Sequence, residues 1–175
     1  TPVSELILGS ESPDVLVVEI SGVAAERVPT LHARGHVLLN VSDDHLDRYA
    51  TFADYAAAKG NPFACMLPDD IGVVPVNDEV CRRQAQRGKA SIHHPGDRYP
   101  RAQINRHGRH NLNNAAAALL MARALGAPTS GIRTALAGFE PLPHRLAFVR
   151  ELAGVRYYDD SKATNVGAAV AALEG

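Results

Sequence analysis

Val15-Leu-Val-Val-Glu-Ile20 and Val37-Leu-Leu-Asn-Val41 are short, nearly continuous apolar runs rich in β-branched residues. Such runs mark strands buried on both faces of a parallel sheet; a sheet with one wet face would instead show alternation. Each run ends in polar residues, and ligands in open α/β sheets bind beyond the carboxyl ends of the strands. Glu19, Ser21, Asn40, Asp43 and His45 therefore fall where chemistry is expected.

Working outward, Ile71 to Asn77 reads as a further strand, with Pro75 pointing to an edge position or an irregular end. Helices are expected over Thr51–Lys59, Asp78–Gln86, Asn111–Leu125 and Ser130–Ala137, the third stopped by Gly126 and Pro128. Gly88 to His107 is polar without a clean period and reads as loops with a short hairpin. Val155–Tyr158 is a candidate strand and Asn165–Leu173 a helix of small residues ending at Gly175. The alternation predicts an α/β fold, a mostly parallel sheet flanked by helices.

At 175 residues the chain is long enough for a substantial core, and 46% apolar with 21% charged residues fits a globular protein. A net charge of −1 gives no footprint for nucleic acid or membrane surfaces. No apolar run approaches the ~20 residues of a membrane-spanning helix. Cys65 and Cys81 form no metal-binding spacing and read as free thiols of a reducing cytoplasm.

The densest chemistry lies near the end, where Val155-Arg-Tyr-Tyr runs into Asp159-Asp-Ser-Lys-Ala-Thr-Asn-Val-Gly167. A strand-to-helix turn of this kind can bind anions through helix N–H groups and Lys162. Asp, Ser, Thr and Asn are equally ordinary N-cap residues, and Lys162 could simply be solvated. Glu19, at the end of a buried strand, needs an ion pair, hydrogen bonds or a metal. Lys59 alone reads as a lysine stabilising a helix C-terminus, Asn111 as an N-cap, and His45 as a surface histidine in an acidic turn.

Taken in order, Asn40-Val-Ser-Asp-Asp-His-Leu-Asp-Arg-Tyr49, Ala56-Ala-Ala-Lys59, Gly108-Arg-His-Asn-Leu-Asn-Asn114, Pro141-Leu-Pro-His-Arg-Leu146 and Asp159 to Gly167 resemble the Mur ligase family. The resemblance runs from about Pro2 to Gly175 and is weaker between roughly Asn61 and Arg106. It implies ATP-dependent amide formation through an acyl phosphate in peptidoglycan synthesis, with UDP-N-acetylmuramoyl-L-alanine and D-glutamate as partners. ATP and Mg²⁺ are the implied cofactors, and a cytoplasmic monomer is expected.

Carried over residue by residue, the resemblance makes Glu19 and His45 magnesium ligands and Lys59 a carbamylated lysine beside the metal. Asn111 and Asn114 would contact the nucleotide, Arg145 its phosphates and Asp160 the ribose. Lys162 would contact phosphate or the acidic substrate, and Thr164 would help hold D-glutamate. Ser21 would face the substrate path, although Gly22-Val-Ala-Ala25 follows it here where the family usually has a second serine and Phe-Gln-Leu. Gly60-Asn61-Pro62 likewise departs from the family's basic, helical continuation after the lysine.

No G-x-x-x-x-G-K-[ST] phosphate loop occurs in the 175 residues. The family's loop precedes the segment matched here, so the chain reads as an internal fragment. Residues 1–148 would be a central ATP-binding domain lacking its N-terminal part, and 149–175 the start of a Rossmann-like C-terminal domain. Leu146–Gly154 would join the two. That first βα unit must pack on the larger domain or stay poorly ordered. A related Mur-type or folylpolyglutamate-type ligase and a non-catalytic nucleotide-binding module remain alternatives.

Overall fold

The computed structural model describes residues 3–9, 13–44, 47–95, 109–140 and 142–174. Chain order is α1 (Val3–Leu8), α2 (Gly22–Glu26), β1 (Gly35–Val37), α3 (Phe52–Ala64), β2 (Ile71–Val73), α4 (Glu79–Ala85) and β3 (Ser91–His93). There follow α5 (Arg109–Ala124), α6 (Thr129–Ala137), β4 (Ala147–Leu152), β5 (Val155–Asp159) and α7 (Val166–Glu174).

β1, β2 and β3 form a parallel sheet in that order, with Gly35, Ile71 and Ser91 in register. Side chains of adjacent positions leave opposite faces. A Cβ at Gly72 would meet Phe63 and Ile92, whereas one at Gly35 would meet Met121. The α3–α4 pair therefore covers one face and α5 the other, which is the expected α/β architecture. The core on the α3–α4 face gathers Leu38, Phe63, Met66, Val74, Cys81 and Ala85, with Val41, Ala90 and Ile92 against it.

Local chemistry sets the helix limits. Thr51 caps α3, its hydroxyl accepting from the Asp54 N–H at 3.1 Å while the Asp54 carboxylate accepts from the Thr51 N–H, a reciprocal capping box. Asp78 caps α4 by accepting from the Cys81 N–H at 2.9 Å. α5 closes with Gly126 at φ +87 while the Gly126 and Ala127 N–H groups return to the carbonyls of Arg123 and Ala122. This is the Schellman arrangement that glycine permits.

Several expectations are corrected. Val15–Ile20 is not a strand: no described strand pairs with it, and Val17 is 91% exposed. A strand buried on both faces needs a layer packed over each, and Val15, Leu16, Val17 and Val18 are all exposed; the edge of β1 away from β2 carries no described strand. The Val37–Val41 strand starts earlier, at Gly35, and its ladder reaches Leu38, whose N–H donates to the Val73 carbonyl at 3.0 Å. β2 stops before Pro75 and is the central strand, so the irregular end is the correct alternative and the edge is not.

Within Gly88–His107, Ser91–His93 is a parallel strand where a hairpin was expected, and 96–107 lies outside the described residues. α3 runs on through Gly60-Asn61-Pro62 to Ala64. Gly60 makes room for the Gln84 side chain of α4, and Asn61 donates to the Ala25 carbonyl of α2, so tertiary packing outweighs the poor propensities. α5 is described from Arg109, so Asn111 sits inside the helix and is not its N-cap. The expected connector Leu146–Gly154 contains β4, paired antiparallel with β5 through a two-residue turn at Ala153 (φ 51) and Gly154 (φ 79). Two positive φ values suit the twist of a tight hairpin.

At the amino end of β2, Asp70 is fully buried and holds the preceding loop in place. Its carboxylate accepts from the Leu67 N–H at 2.7 Å, pairs with His32 Nε2 at 2.6 Å and lies 3.5 Å from the Arg34 guanidinium. The Leu67 N–H, then His32 and Arg34, hold the carboxyl below its usual range against the opposing effect of burial. A depressed folded pKa gives stability that is complete above the unfolded value of 3.8 and is lost as pH falls through the folded value. Asp70→Asn should therefore lower Tm most near neutral pH, with the gap to wild type closing below about pH 4. A gap that stays constant from pH 7 to 3, measured by thermal unfolding, would refute this role.

Candidate active site

Lys59 lies on α3 facing the start of α2. A Cβ at Gly22 would sit 3.5 Å from Lys59 Cγ, 3.3 Å from the Tyr55 ring and 3.6 Å from Tyr49 Oη. A side chain at 22 would thus stand in contact with Tyr55, Lys59 and Tyr49. The Lys59 ammonium rests 5.1 Å from the centroid of the Tyr55 ring, which in turn packs on Tyr49 at 5.1 Å. The ring face is electronegative, so this seat suits a cation better than a carbamate anion.

Ser21 caps α2, its hydroxyl accepting from the Ala24 N–H at 3.1 Å. Glu19 lies two residues upstream in an exposed, non-helical segment, so the predicted burial of its carboxylate is not observed. Arg48 pairs with Glu26 at 2.8 Å and stacks over Tyr49, tying the segment after His45 to α2. His45 itself lies outside the described residues. Ser21, Lys59 and Tyr49 thus meet at the start of α2, three residues beyond Glu19, while Arg48 grips its last residue, Glu26.

A second group forms between the turns at 144–146 and 159–162. His144 Nδ1 and the Asp159 carboxylate meet at 2.6 Å, the Leu146 N–H donates to Asp160 Oδ1 at 3.0 Å, and the Lys162 N–H donates to the His144 carbonyl at 3.2 Å. His144, with the Ser161 N–H and hydroxyl, holds the Asp159 carboxyl below its usual range. His144 (φ 66) and Leu146 (φ 47) are both left-handed, a conformation costly for residues with a Cβ, and they bracket the exposed Arg145. Arg145, Asp160 and Lys162 are therefore brought together by paired backbone and carboxylate contacts. One Asp160 oxygen is committed to the Leu146 N–H.

Asn165 links the 159–167 segment to the loop that ends at Asp44. Its Nδ2 donates to Asp44 Oδ2 at 2.9 Å across 121 residues, and its Oδ1 accepts from the Ala168 N–H at 2.8 Å, capping α7. The βα unit thus touches the Ser42–Asp44 loop, while its own apolar side chains, Val166 and Leu173 among them, stay largely exposed. Thr164 is exposed beside it. Asn111 is half-buried and Asn114 exposed, both in the first half of α5. Sequence reading offered the asparagine of this segment as an N-cap, which Asn165 is, but assigned nothing to its link with Asp44, to the His144–Asp159 pair, or to Tyr55.

Among the described residues no three His, Cys, Asp or Glu side chains gather closely enough to hold a metal ion. Mg²⁺ needs only one or two carboxylates beside phosphate and water. Glu19 offers one exposed carboxylate. Cys65 and Cys81 are free thiols, and burial pushes the Cys81 thiol up to about 12, which leaves it inert. No described helix is long and apolar enough to cross a membrane.

Residues 6–96 match the Mur ligase middle domain, and the chain belongs to the Mur ligase family. It is 39% identical, over 98% of its length, to the UDP-N-acetylmuramoylalanine–D-glutamate ligase of Geobacter metallireducens, covering 43% of that protein. The enzyme of the same name from Pseudomonas aeruginosa is 36% identical over 100% of the chain, which covers 43% of it. The chain thus spans less than half the length of these curated relatives. Among solved structures, MurF from Acinetobacter baumannii superposes with a TM-score of 0.67 at 21% identity, over 86% of this chain and 38% of that one. At that identity the likeness establishes the fold.

Proposed function

We propose that these residues form part of an ATP-dependent ligase that joins D-glutamate to UDP-N-acetylmuramoyl-L-alanine, a cytoplasmic step of peptidoglycan synthesis carried out by a monomer. The observation that carries the reading is the meeting of two motif segments, Asp43–Tyr49 and Asp159–Gly167, through the 2.9 Å Asn165–Asp44 hydrogen bond. Relatives bearing that ligase name, similar along nearly the whole chain, support it. Residues 1–148 would belong to the central ATP-binding domain and 149–175 to the beginning of the C-terminal domain.

On this reading ATP supplies the phosphoryl group that activates the alanyl carboxylate, and Mg²⁺, held by Glu19 and His45, supplies charge at the phosphates. Arg145 and Lys162 present cations from two turns fixed to each other, where positioning and electrostatics dominate phosphoryl transfer. Asp160 keeps one oxygen for the ribose, and Asn111 and Asn114 face the nucleotide. Ser21 and Thr164 lie toward the substrates, Thr164 beside the D-glutamate position. Lys59 serves at the metal as a carbamate only if its ammonium is drawn off the Tyr55 ring.

A chimaera tests the proposal: the 175 residues replace the matched segment of the Geobacter metallireducens ligase, and phosphate release is followed with Mg-ATP, UDP-N-acetylmuramoyl-L-alanine and D-glutamate. Release that depends on D-glutamate is expected. The isolated chain, with no phosphate loop among its residues, should release none above background. A folded but inactive chimaera would favour the non-catalytic nucleotide-binding reading, and activity with a different amino acid would favour another amide ligase.

A further inference from the structure

We infer that Asn165 is a positioning residue that latches the Ser42–Asp44 loop to the turn bearing Lys162 and Thr164. The inference rests on the ligase reading for its consequence, although the latch itself is a matter of geometry. Both ends of one amide are in use: Nδ2 donates to Asp44 and Oδ1 accepts from Ala168, while the Asn165 carbonyl accepts from the Ala169 N–H at 3.1 Å. An aspartate would cap α7 as well. It would, however, set a second carboxylate against Asp44, and a serine would lack the amide donor.

The surroundings reinforce the link. A Cβ at Gly167 would stand 3.1 Å from Ser42 Oγ, so the first turn of α7 presses on the same loop that Asn165 holds. The Asp44 carboxylate also lies at the positive end of that helix, a favourable placement. α7 buries little of its own apolar surface, with Val166 79% and Leu173 88% exposed, so directional contacts matter more for its seat. The turn is stiffened from the other side, because the Ala163 N–H donates to the Asp160 carbonyl at 2.9 Å and the Lys162 N–H to His144. Fixing Asn165 against Asp44 therefore fixes Lys162 and Thr164 relative to the Ser42–Asp44 loop.

Hydrogen exchange on the 175-residue chain tests the latch without reference to activity. Asn165→Asp should speed exchange of the Lys162 and Ala163 amides and of the 42–44 loop together, by about tenfold, while Ala168, still capped by the carboxylate, keeps its protection. Asp44→Asn should have a small effect, since the new amide oxygen can still accept from Asn165. The double variant should return close to wild type, because Asn at 44 can donate to Asp at 165. Amides of the α3–β2–α4 core should be unchanged in all three. The latch is overturned by a double variant as fast as Asn165→Asp, by acceleration confined to α7, or by loss of protection in the core. In the chimaera, Asn165→Asp should lower kcat about tenfold, and an unchanged kcat would overturn the positioning role. If the unsubstituted chimaera is inactive, the ligase reading fails while the exchange result still decides the latch.

Discussion

Arg145→Ala, placed in the active chimaera, will lower kcat for D-glutamate-dependent phosphate release by about 10²–10³-fold, the loss typical of removing one preorganised electrostatic partner. The expectation comes from how the chain spends its local conformational energy. Two left-handed residues flank Arg145, at φ 66 and 47, and neither is glycine. Such backbone is retained where surrounding contacts over-determine it. Here Asp159 holds His144, Asp160 holds the Leu146 N–H, and Lys162 closes onto the His144 carbonyl. The guanidinium itself stays exposed while its main chain is pinned, the arrangement that presents a charge with little ordering left to do on binding. Arg145→Lys should recover only part of the loss, since a point charge cannot reproduce the planar fork at phosphate oxygens. A loss below about threefold with Arg145→Ala would remove this residue from the phosphate site.

The legibility of the chain divides along the range of the interactions. Helices whose signals are local were read closely: α4 with its Asp78 cap, α5 with its Gly126 stop, and α6. Strands were read less well because their partners are far away in sequence. Val15–Ile20 has the composition of a buried strand, but composition does not supply a neighbour, and Ser91–His93 has little strand character yet gains a parallel partner in β2. Of the candidate site, Arg145, Asp160 and Lys162 were named from motifs and lie on two turns joined by the Leu146–Asp160 and Lys162–His144 hydrogen bonds. Their common frame was not legible, since it depends on the His144–Asp159 pair and on positive φ values that no sequence pattern announces. Lys59 was placed beside a metal by resemblance, whereas its aromatic seat follows from an i,i+4 relation to Tyr55 on α3 that the sequence did contain.

Phe63→Ala is the substitution expected to damage the fold most. Phe63 has no exposed surface, and its ring meets His36 edge-on with centroids 4.5 Å apart. It also touches the Gly72 position, where a Cβ would come within 3.1 Å of its Cε1. Truncating a buried phenylalanine costs about 3–5 kcal/mol through lost burial and the cavity left behind. For a chain of this length that corresponds to a fall in Tm of roughly 6–20 °C. The loss should be visible in a second, site-specific readout. Burial holds His36 down to about 4 from its ordinary 6.5. Opening a cavity against its ring lets water reach it, so its NMR titration midpoint should rise toward 6.5 in whatever fraction remains folded. Gly88→Ala attacks the same junction through the backbone, because a Cβ there would fall 1.9 Å from the Phe63 carbonyl oxygen and neither main chain can yield without moving α3 against the β3 approach. Overpacking usually costs about 1–3 kcal/mol and more when backbone must shift. A Phe63→Ala variant that melts within about 2 °C of wild type, with an unmoved His36 titration, would mean that the core is centred elsewhere than at the α3–sheet contact.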